Sequence, residues 1–253
     1  MDYDRTLFEE WQRIAKVNPG YVARLPHRYE GETGEEFFEE RLLKALRPGH
    51  LALDLGCGGG EFTVRMAELG RVVGLDPFAE MLQVACALPG QERARWVRAI
   101  GEALPFRDCV FDLIYSRRGP ASEVRFLPEV ARTLRPGGRF LEVTIGERNA
   151  WEMAEIFGRW QMAGVTEPRS RTLRRRLTEH GLRPLLVRDF RSRHVLLGGI
   201  EELAEALEGS PAIPGVDRER DAAALAEAAV RLKVDDGLAS TNHRVVLEAV
   251  KPR

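Results

Sequence analysis

A glycine-rich turn between an apolar strand and a helix constrains this chain more than any other feature. The run Leu-Ala-Leu-Asp-Leu-Gly-Cys-Gly-Gly-Gly-Glu occupies residues 51–61, and Asp54 stands near the end of its predicted strand. Glycine adopts positive φ angles and lets a ligand approach the backbone without meeting a Cβ atom. A strand, a glycine turn and a helix in this order form the first unit of a nucleotide-binding α/β fold.

The spacing of the glycines narrows the choice of ligand. A dinucleotide fingerprint, G-x-G-x-x-G, uses its third glycine for close packing of the helix on the strand. Gly56 and Gly58 fit the first two positions, but the third falls on Glu61. A P-loop is excluded because no Gly-Lys-Ser/Thr follows. The turn therefore suits a ligand without phosphates, and the acid at Asp54 favours a cationic group on that ligand. A plain tight turn is the alternative interpretation.

A second strand that ends in an acid supports the nucleotide interpretation. Arg-Val-Val-Gly-Leu-Asp-Pro occupies residues 71–77, so Asp76 lies about twenty residues beyond Gly56, where such folds place a ribose-binding carboxylate. A carboxylate can accept hydrogen bonds from both ribose hydroxyls. Phe78 and Met81 open the next helix, where the alternatives are contact with a base and packing in the core.

Three further motifs complete a family pattern. They are Glu-Ala-Leu-Pro-Phe at 102–106, Phe-Asp-Leu-Ile-Tyr-Ser at 111–116 and Leu-Arg-Pro-Gly-Gly-Arg-Phe at 134–140. Together with the two strand ends, they resemble the class I S-adenosylmethionine-dependent methyltransferases. Within that class, the chain is most similar to the small-molecule group that includes the ubiquinone and menaquinone C-methyltransferases. The resemblance covers residues 42–147.

Consecutive strand–helix units predict an α/β, Rossmann-like, doubly wound sheet with right-handed crossovers. The resemblance implies a mostly parallel sheet with one antiparallel strand near the C-terminus. Residues 1–41 are predicted to be a helical N-terminal cap, and residues 42–253 a methyltransferase domain. That domain is expected to carry a helical insertion at residues 197–240, in keeping with helical additions at both ends of the chain.

The resemblance also implies a cofactor, S-adenosyl-L-methionine, and a role for each matching residue. Asp54 and the backbone of residues 56–58 would hold the methionine amino and carboxylate ends, and Asp76 would bind the ribose hydroxyls. Residues 100–102 would lie beside the adenine, and Ser116 would touch the methionine part. The predicted cofactor-binding residues are Asp54, Gly56, Cys57, Gly58, Asp76, Pro77, Met81, Ile100, Gly101, Glu102 and Ser116.

One position departs from the family pattern. Relatives often read Gly-Asp-Ala-Glu, in which the Asp reaches the adenine amino group, whereas this chain has Ile100 at that position. Adenine recognition is then expected from backbone groups, from Glu102 or from apolar contacts on both faces of the ring. The missing acid gives weight to one alternative function, a protein that binds the cofactor without turnover.

Two arginines after the predicted strand at 112–116 suggest what the acceptor carries. Enzymes that methylate the amino groups of nucleic-acid bases have an aromatic residue here, which stacks on a flipped base. This chain instead reads Ser-Arg-Arg-Gly-Pro. Arg117 and Arg118 suit a carboxylate or a phosphate on a substrate. For each arginine taken singly, a pair with a nearby acid is the alternative.

No residue stands out as a general base, so the catalytic residue is unassigned. His27 and His194 are the best candidates for that base and for contact with the substrate, although a lone histidine is more often structural or exposed. A second basic cluster consists of Arg169, Arg171, Arg174, Arg175 and Arg176. It is interpreted as a solvated helix face, with an RNA-binding surface as the alternative.

Composition excludes several classes of protein. Lys and Arg total 38 against 39 Asp and Glu, whereas a general nucleic-acid binder would be strongly basic. No apolar run approaches the roughly eighteen residues that span a membrane, and the N-terminus lacks the regions of a signal peptide. The three cysteines have no metal-ligand spacing, so no metal is expected. These features predict a cytoplasmic protein without membrane contact and leave its oligomeric state open.

The sequence therefore predicts an S-adenosylmethionine-dependent methyltransferase that acts on a small, anionic acceptor. The first alternative is an RNA methyltransferase, for which nucleic acid is the partner. The second is the cofactor-binding protein without turnover. The identity of the acceptor, and whether carbon, oxygen or nitrogen receives the methyl group, stay open.

Overall fold

Strands and helices alternate along the middle of the chain, as expected of consecutive strand–helix units. The computed structural model describes residues 3–20, 25–119, 123–160, 162 and 164–253. In chain order, the elements are α1 (Tyr3–Val17), β1 (His27–Glu30), α2 (Glu35–Ala45), β2 (Leu51–Leu55), α3 (Glu61–Ala67), β3 (Arg71–Asp76), α4 (Ala79–Ala87), β4 (Ala94–Arg98), β5 (Phe111–Arg117), α5 (Leu127–Thr133), β6 (Leu134–Ile145), α6 (Trp151–Phe157), α7 (Arg169–Glu179), β7 (Arg183–Leu197), α8 (Ile200–Glu208), α9 (Ala222–Arg231), β8 (Lys233–Val234) and β9 (Gly237–Val250).

The chain forms two units, each assembled from three segments. Unit 1 consists of Met1–Thr33, Glu147–Thr166 and Phe190–His243; unit 2 consists of Gly34–Gly146, Glu167–Asp189 and Arg244–Arg253. Most of the predicted cap and insertion therefore belongs to unit 1. The predicted domain bounds at 1–41 and 42–253 stay a prediction about which part folds independently.

The sheet of unit 2 is an α/β, Rossmann-like sheet. Its strands follow the order β7-β9-β6-β5-β2-β3-β4. Neighbouring strands from β6 to β4 in this order are parallel, whereas β9 pairs antiparallel with β6. Asp54 is in register with Gly74 on β3 and with Tyr115 on β5. The carboxyl ends of β2, β3 and β5 therefore meet at one edge, where ligands bind in such sheets.

The core of unit 2 lies between this sheet and its helices. Leu53, Ile114 and Phe140 come from three adjacent strands and are fully buried. They belong to one cluster with Leu127 of α5 and Leu173 of α7. Full burial of an apolar side chain of this size stabilises a fold by about 1.5–3 kcal/mol. The helices thus hold the sheet edge in a fixed geometry.

Unit 1 has its own core, formed by α6, α8 and α9 together with nearby strand residues.

A short strand in unit 1 shows that one sequence prediction was wrong. Residues 1–41 were expected to be helical, but His27–Glu30 form β1, which pairs antiparallel with β7. Most of this short edge strand is exposed, so it does not need the apolar residues that would have marked His-Arg-Tyr-Glu as a strand. Its strand partner lies more than 160 residues away, as in the pair of Tyr29 with His194.

The ends of two elements near the C-terminal half are defined by the backbone. Helix α6 ends at Phe157, where Gly158 adopts the left-handed conformation that terminates helices. The last strand, β9, begins at Gly237 and runs to Val250. Among the described helices, none is long and apolar enough to cross a bilayer.

Candidate functional site

The glycine turn lies between β2 and α3, and backbone hydrogen bonds hold it against β3. The N–H groups of Gly56 and Cys57 both donate to the carbonyl oxygen of Leu75, at 2.9 and 3.0 Å. Gly56 and Gly58 have φ angles of 82° and 54°. A Cβ placed on Gly58 would meet no described atom within 4 Å apart from its chain neighbours. The turn thus leaves the open space that close approach of a ligand to the backbone requires.

Close packing of α3 depends on Gly60 rather than on residue 61. A Cβ on Gly60 would lie 2.6 Å from the ring of Trp96 on β4, and a Cβ on Gly74 would meet the same ring at 2.6 Å. Glu61 begins α3 with an exposed side chain. We expected the close-packing glycine to be missing because Glu61 occupies its position. The packing role falls one residue earlier, on a contact between distant segments.

Asp54 is buried at the end of β2, with 2% of its surface exposed. Its Oδ2 accepts a hydrogen bond of 2.7 Å from the hydroxyl of Thr63 on α3. Burial raises the pKa of Asp54 to about 7, although this hydrogen bond and the positive charge of Arg117 oppose the rise. A buried carboxyl with this pKa would gain most from a cationic partner, because ionisation in an apolar site is costly without one.

Asp76 connects the end of β3 to the glycine turn. Its two carboxylate oxygens accept 3.0 Å hydrogen bonds from the backbone N–H groups of Gly58 and Phe78. Burial raises the pKa of Asp76 to about 6, and these two hydrogen bonds limit the rise. Each oxygen keeps a lone pair for a further donor. The structure therefore brings three predicted residues, Asp54, Gly58 and Asp76, to one edge of the sheet.

The other residues predicted around this edge differ in exposure. Met81 on α4 is buried and Pro77 is half-buried. The burial of Met81 agrees with the packing alternative, and its contact with the cofactor stays a prediction. Ser116 is fully buried, and its hydroxyl donates to the carbonyl oxygen of Leu55 at 2.7 Å. Burial raises the pKa of the Cys57 thiol well above its usual range, which keeps that thiol neutral.

Residues 100–102 form the loop predicted to lie beside the adenine. Ile100 is 46% exposed, so its apolar side chain is accessible from solvent. A Cβ on Gly101 would lie 2.5 Å from the Phe126 ring, and Glu102 forms a 3.1 Å ion pair with Arg125. Phe126 therefore fixes the loop, although no sequence motif points to Phe126.

Arg117 and Arg118 both pair with one acid, Glu35 at the start of α2. Nε of Arg117 donates to Oε2 of Glu35 at 2.8 Å, and Nε of Arg118 lies 3.6 Å from Oε1. The guanidinium of Arg117 also lies over the Phe62 ring, 5.1 Å from its centre. Pairing with a nearby acid was the alternative for each arginine. The sequence did not identify Glu35, whose partner is 82 residues away.

His27 and His194 come together in unit 1. Their ring centres are 5.3 Å apart, and each ring also contacts Tyr29. Nδ1 of His27 lies 3.0 Å from the carbonyl oxygen of Leu25. The pair belongs to a different unit from the strand ends described above, and its contact with substrate stays a prediction.

The basic cluster on α7 is largely engaged by other groups. Glu123 accepts hydrogen bonds from Arg169 at 2.6 Å and from Arg176 at 2.9 Å. Burial would raise the pKa of Glu123, but the two arginines lower it below its usual range. Arg174 donates to the backbone carbonyl of Val187. Arg171 and Arg175 lie beside Glu167. These pairs leave less free positive charge for phosphates than five arginines suggest.

Comparison with known proteins places this geometry in a family context. A family model described as a methyltransferase domain matches residues 52–138. An uncharacterized methyltransferase of Synechocystis is 34% identical over 58% of this chain and 71% of its own length. A 2-phytyl-1,4-naphtoquinone methyltransferase of Synechocystis is 33% identical over 52% of this chain, but the match spans only 59% of that relative.

Two further similarities agree with these. A malonyl-[acyl-carrier protein] O-methyltransferase of Pectobacterium atrosepticum is 32% identical over 67% of this chain and 68% of that protein. A proposed methyltransferase of Bacillus halodurans has a solved structure that aligns with a TM-score of 0.65 and 18% identity. That alignment covers 86% of this chain and 100% of the other, and at this identity it supports a shared fold alone.

Proposed function

Because the chain belongs to the class I S-adenosylmethionine-dependent methyltransferases, we propose that its acceptor is a small anionic molecule held by Arg117 and Arg118. The family assignment confirms the resemblance seen in the sequence and makes the protein a methyltransferase enzyme. S-adenosylmethionine is the methyl donor that the family implies. The acceptor class and the residues that bind each ligand are parts of the proposal.

The residues at the turn fit the cofactor. Open space at Gly58 accommodates a ligand against the backbone, and buried Asp54 offers a partner for the methionine ammonium. Asp76 keeps acceptor capacity for the ribose hydroxyls. With Asp absent at position 100, the exposed side chain of Ile100 supplies an apolar contact for the adenine. The open space at Gly58 is the observation that most supports cofactor binding here.

The arginine pair carries the proposal about the acceptor. Arg117 ends β5, and Gly119 packs against the turn, since a Cβ on Gly119 would lie 3.8 Å from Cα of Gly56. The two guanidinium groups therefore belong to a segment that touches the proposed cofactor site. Arginine binds carboxylates and phosphates through paired N–H donors. The name of the relative that methylates a malonyl group is consistent with such an acceptor, whereas the quinone relative argues for a neutral one.

An anionic acceptor also removes the need for a general base in the protein. The sulfonium of the cofactor makes its methyl group electrophilic, so the chain must align the acceptor and exclude water. An ionised carboxylate or phosphate oxygen is already a nucleophile and needs no general base. The proposal therefore accounts for a site in which no base was identified from the sequence.

Methyl transfer from labelled S-adenosylmethionine tests the proposal. Cell metabolites separated by charge, and total RNA, are offered as acceptors to the wild-type protein and to Arg117→Gln and Arg118→Gln variants. We expect label in small anionic metabolites and a loss of that label in at least one variant. Label in neutral metabolites alone would refute the arginine contact. Label in RNA that disappears when Arg174, Arg175 and Arg176 are replaced would favour the RNA alternative.

A further inference from the structure

We propose that Glu35 is a built-in competitor for the acceptor, because its carboxylate occupies Arg117 and Arg118 until an anionic ligand displaces it. The inference rests on the proposed function and adds a residue that determines specificity. An acceptor must bind the arginine pair better than a single carboxylate does. The site would therefore select acceptors with two negative charges over neutral or singly charged ones.

The backbone after β5 brings the two arginines to the same acid. Successive side chains of a strand point to opposite faces of the sheet, so Arg117 and Arg118 would diverge if the strand continued. Arg118 instead has a φ angle of 64°, a left-handed conformation that costs energy for any residue other than glycine. Its N–H donates to the carbonyl oxygen of Val143 at 2.7 Å, which holds the turn. The strained backbone directs both guanidinium groups to Glu35.

The residue after this turn makes the arrangement hard to relax. A Cβ on Gly119 would lie 2.5 Å from Oγ of Ser116 and 3.1 Å from the carbonyl oxygen of Leu55. The segment therefore needs glycine at this position. Strain that persists because its surroundings hold it in place is typical of ligand-binding segments.

The charges around Glu35 leave it replaceable. Two guanidinium groups face the single carboxylate of Glu35, and Asp54, which the charge of Arg117 also reaches, has a pKa raised to about 7 and is partly protonated at neutral pH, so the pair retains attraction for a further anion. The side chains of Arg117 and Arg118 are 37% and 35% exposed, which gives a dissolved ligand access to them. Arg117 is also held by the Phe62 ring, so it stays in position when the carboxylate leaves. Each partly exposed ion pair strengthens the hold of Glu35 on the arginines by about fivefold at most. The attraction of a dianion for the two guanidinium groups can exceed this.

Calorimetric titration with malonate and with inorganic pyrophosphate, in the presence of S-adenosylhomocysteine, tests the inference. Glu35→Gln keeps the size of the side chain and removes its charge. We expect at least one probe to bind this variant about 3- to 10-fold more tightly than the wild type, since two ion pairs no longer compete. Glu40→Gln is the matched control: it lies on the same helix, removes the same charge and loses an exposed pair with Lys44 instead of the pairs with the two arginines. It should leave probe affinity unchanged.

The single variants Arg117→Gln and Arg118→Gln, together with two further variants at Glu35, separate the possible failures. Adding Arg118→Gln to Glu35→Gln should abolish the gain in affinity, and Glu35→Asp, with its shorter side chain, should give a smaller gain than Glu35→Gln. If Arg118→Gln weakens probe binding but Glu35→Gln does not strengthen it, the competitor role is wrong and the anionic acceptor stands. If neither probe binds any variant, or binding ignores both arginines, the inference and the proposed acceptor are both wrong. Thermal unfolding of each variant identifies any that fail to fold.

Discussion

The two sides of the β5 carboxyl end are built by different means. On the side of β2 and β3, the backbone N–H of Gly58 donates to the carboxylate of Asp76, and Asp54 is buried against Thr63. On the arginine side, Arg117 and Arg118 are held mainly by half-exposed ion pairs to Glu35. Buried backbone contacts preorganise a site, whereas exposed ion pairs are weak and are screened by salt.

This difference predicts how each side responds to perturbation. The proposed cofactor side should be sensitive to single changes in shape and in buried charge, and largely insensitive to salt. The proposed acceptor side should tolerate substitution structurally while its ligand affinity changes with charge and ionic strength. Substitutions on each side test whether the two sides differ in this way.

The largest effect is expected from Gly58→Val, which places a branched side chain in the open space at the turn. A β-branched residue at a φ of 54° is strained by roughly 1–2 kcal/mol, which a folded domain can tolerate. The side chain would occupy the position that a ligand needs to reach the backbone. We expect calorimetry to detect no binding of S-adenosylhomocysteine, while circular dichroism stays that of a folded protein.

Gly49→Val is the matched control for this substitution. Gly49 has a φ of 85°, lies before β2, and would likewise meet no described atom within 4 Å on gaining a Cβ. It therefore has similar strain at the opposite end of the same strand. Cofactor binding that survives in the Gly58 variant, or is lost equally in both, would show that the methionine end lies elsewhere.

The second effect concerns Asp76. Replacing it with Ala would remove the proposed charge-assisted hydrogen bonds to the ribose, and we expect S-adenosylhomocysteine binding to weaken by roughly 1–3 kcal/mol. Because Asp76 also holds the Gly58 N–H, a 2′-deoxy analogue of the ligand serves as a control. That analogue already lacks one hydroxyl, so it should lose less affinity in the variant. An equal loss for both ligands would assign Asp76 to the turn alone.

The arrangement of the proposed cofactor side at one sheet edge was predictable from the sequence because its determinants are local, whereas its contacts with the cofactor stay a prediction. Gly58 and Asp76 lie in short motifs in which an apolar strand ends at a glycine or an acid, and these motifs also indicate the parallel sheet. The contact of Gly60 with Trp96 was not predictable, since it joins segments 36 residues apart whose proximity depends on the folded sheet. The strand β1 was missed because an exposed edge strand needs no apolar alternation.

The arginine side could be predicted only in part. The pair of arginines after the strand was visible in the sequence, but their partner Glu35 is one of several acids in the run Glu-Glu-Phe-Phe-Glu-Glu at 35–40. The left-handed φ of Arg118 gives no signal either, because the conformation usually belongs to glycine. His27 and His194 likewise meet only through pairing of distant strands.

The third effect is a dependence of cofactor affinity on pH. Asp54 has a pKa of about 7 and is partly protonated at neutral pH, whereas the methionine ammonium favours the carboxylate. Binding should therefore strengthen as pH rises, by about tenfold between pH 6 and pH 8 when the bound state is ionised throughout. Asp76, with a pKa of about 6, adds about twofold over this interval.

The Asp54→Asn variant tests the source of that dependence. It preserves an acceptor for the Thr63 hydroxyl and removes the titrating group. Calorimetry with S-adenosylhomocysteine should then give weaker binding that changes by no more than about twofold across the same interval. A wild-type affinity that is flat with pH, or an Asn variant that keeps the full change, would contradict a contact between Asp54 and the ammonium.

The smallest effect distinguishes the two adjacent arginines by stability. Arg118→Gly relieves left-handed strain of roughly 1–2 kcal/mol, but it loses a half-exposed ion pair of up to about 1 kcal/mol and increases the freedom of the unfolded chain by about 0.5–1 kcal/mol. The free energy of unfolding in urea should change by less than about 1 kcal/mol. Arg117→Gly relieves no such strain and also loses its contact with the Phe62 ring, so it should destabilise by about 1–3 kcal/mol.

S-adenosylhomocysteine affinity should stay unchanged in the Arg118 variant while the KM for an anionic acceptor rises. Equal destabilisation by the two substitutions would mean that the backbone at Arg118 stores no strain. The two arginines would then converge on Glu35 because of their ion pairs and not because of a strained backbone.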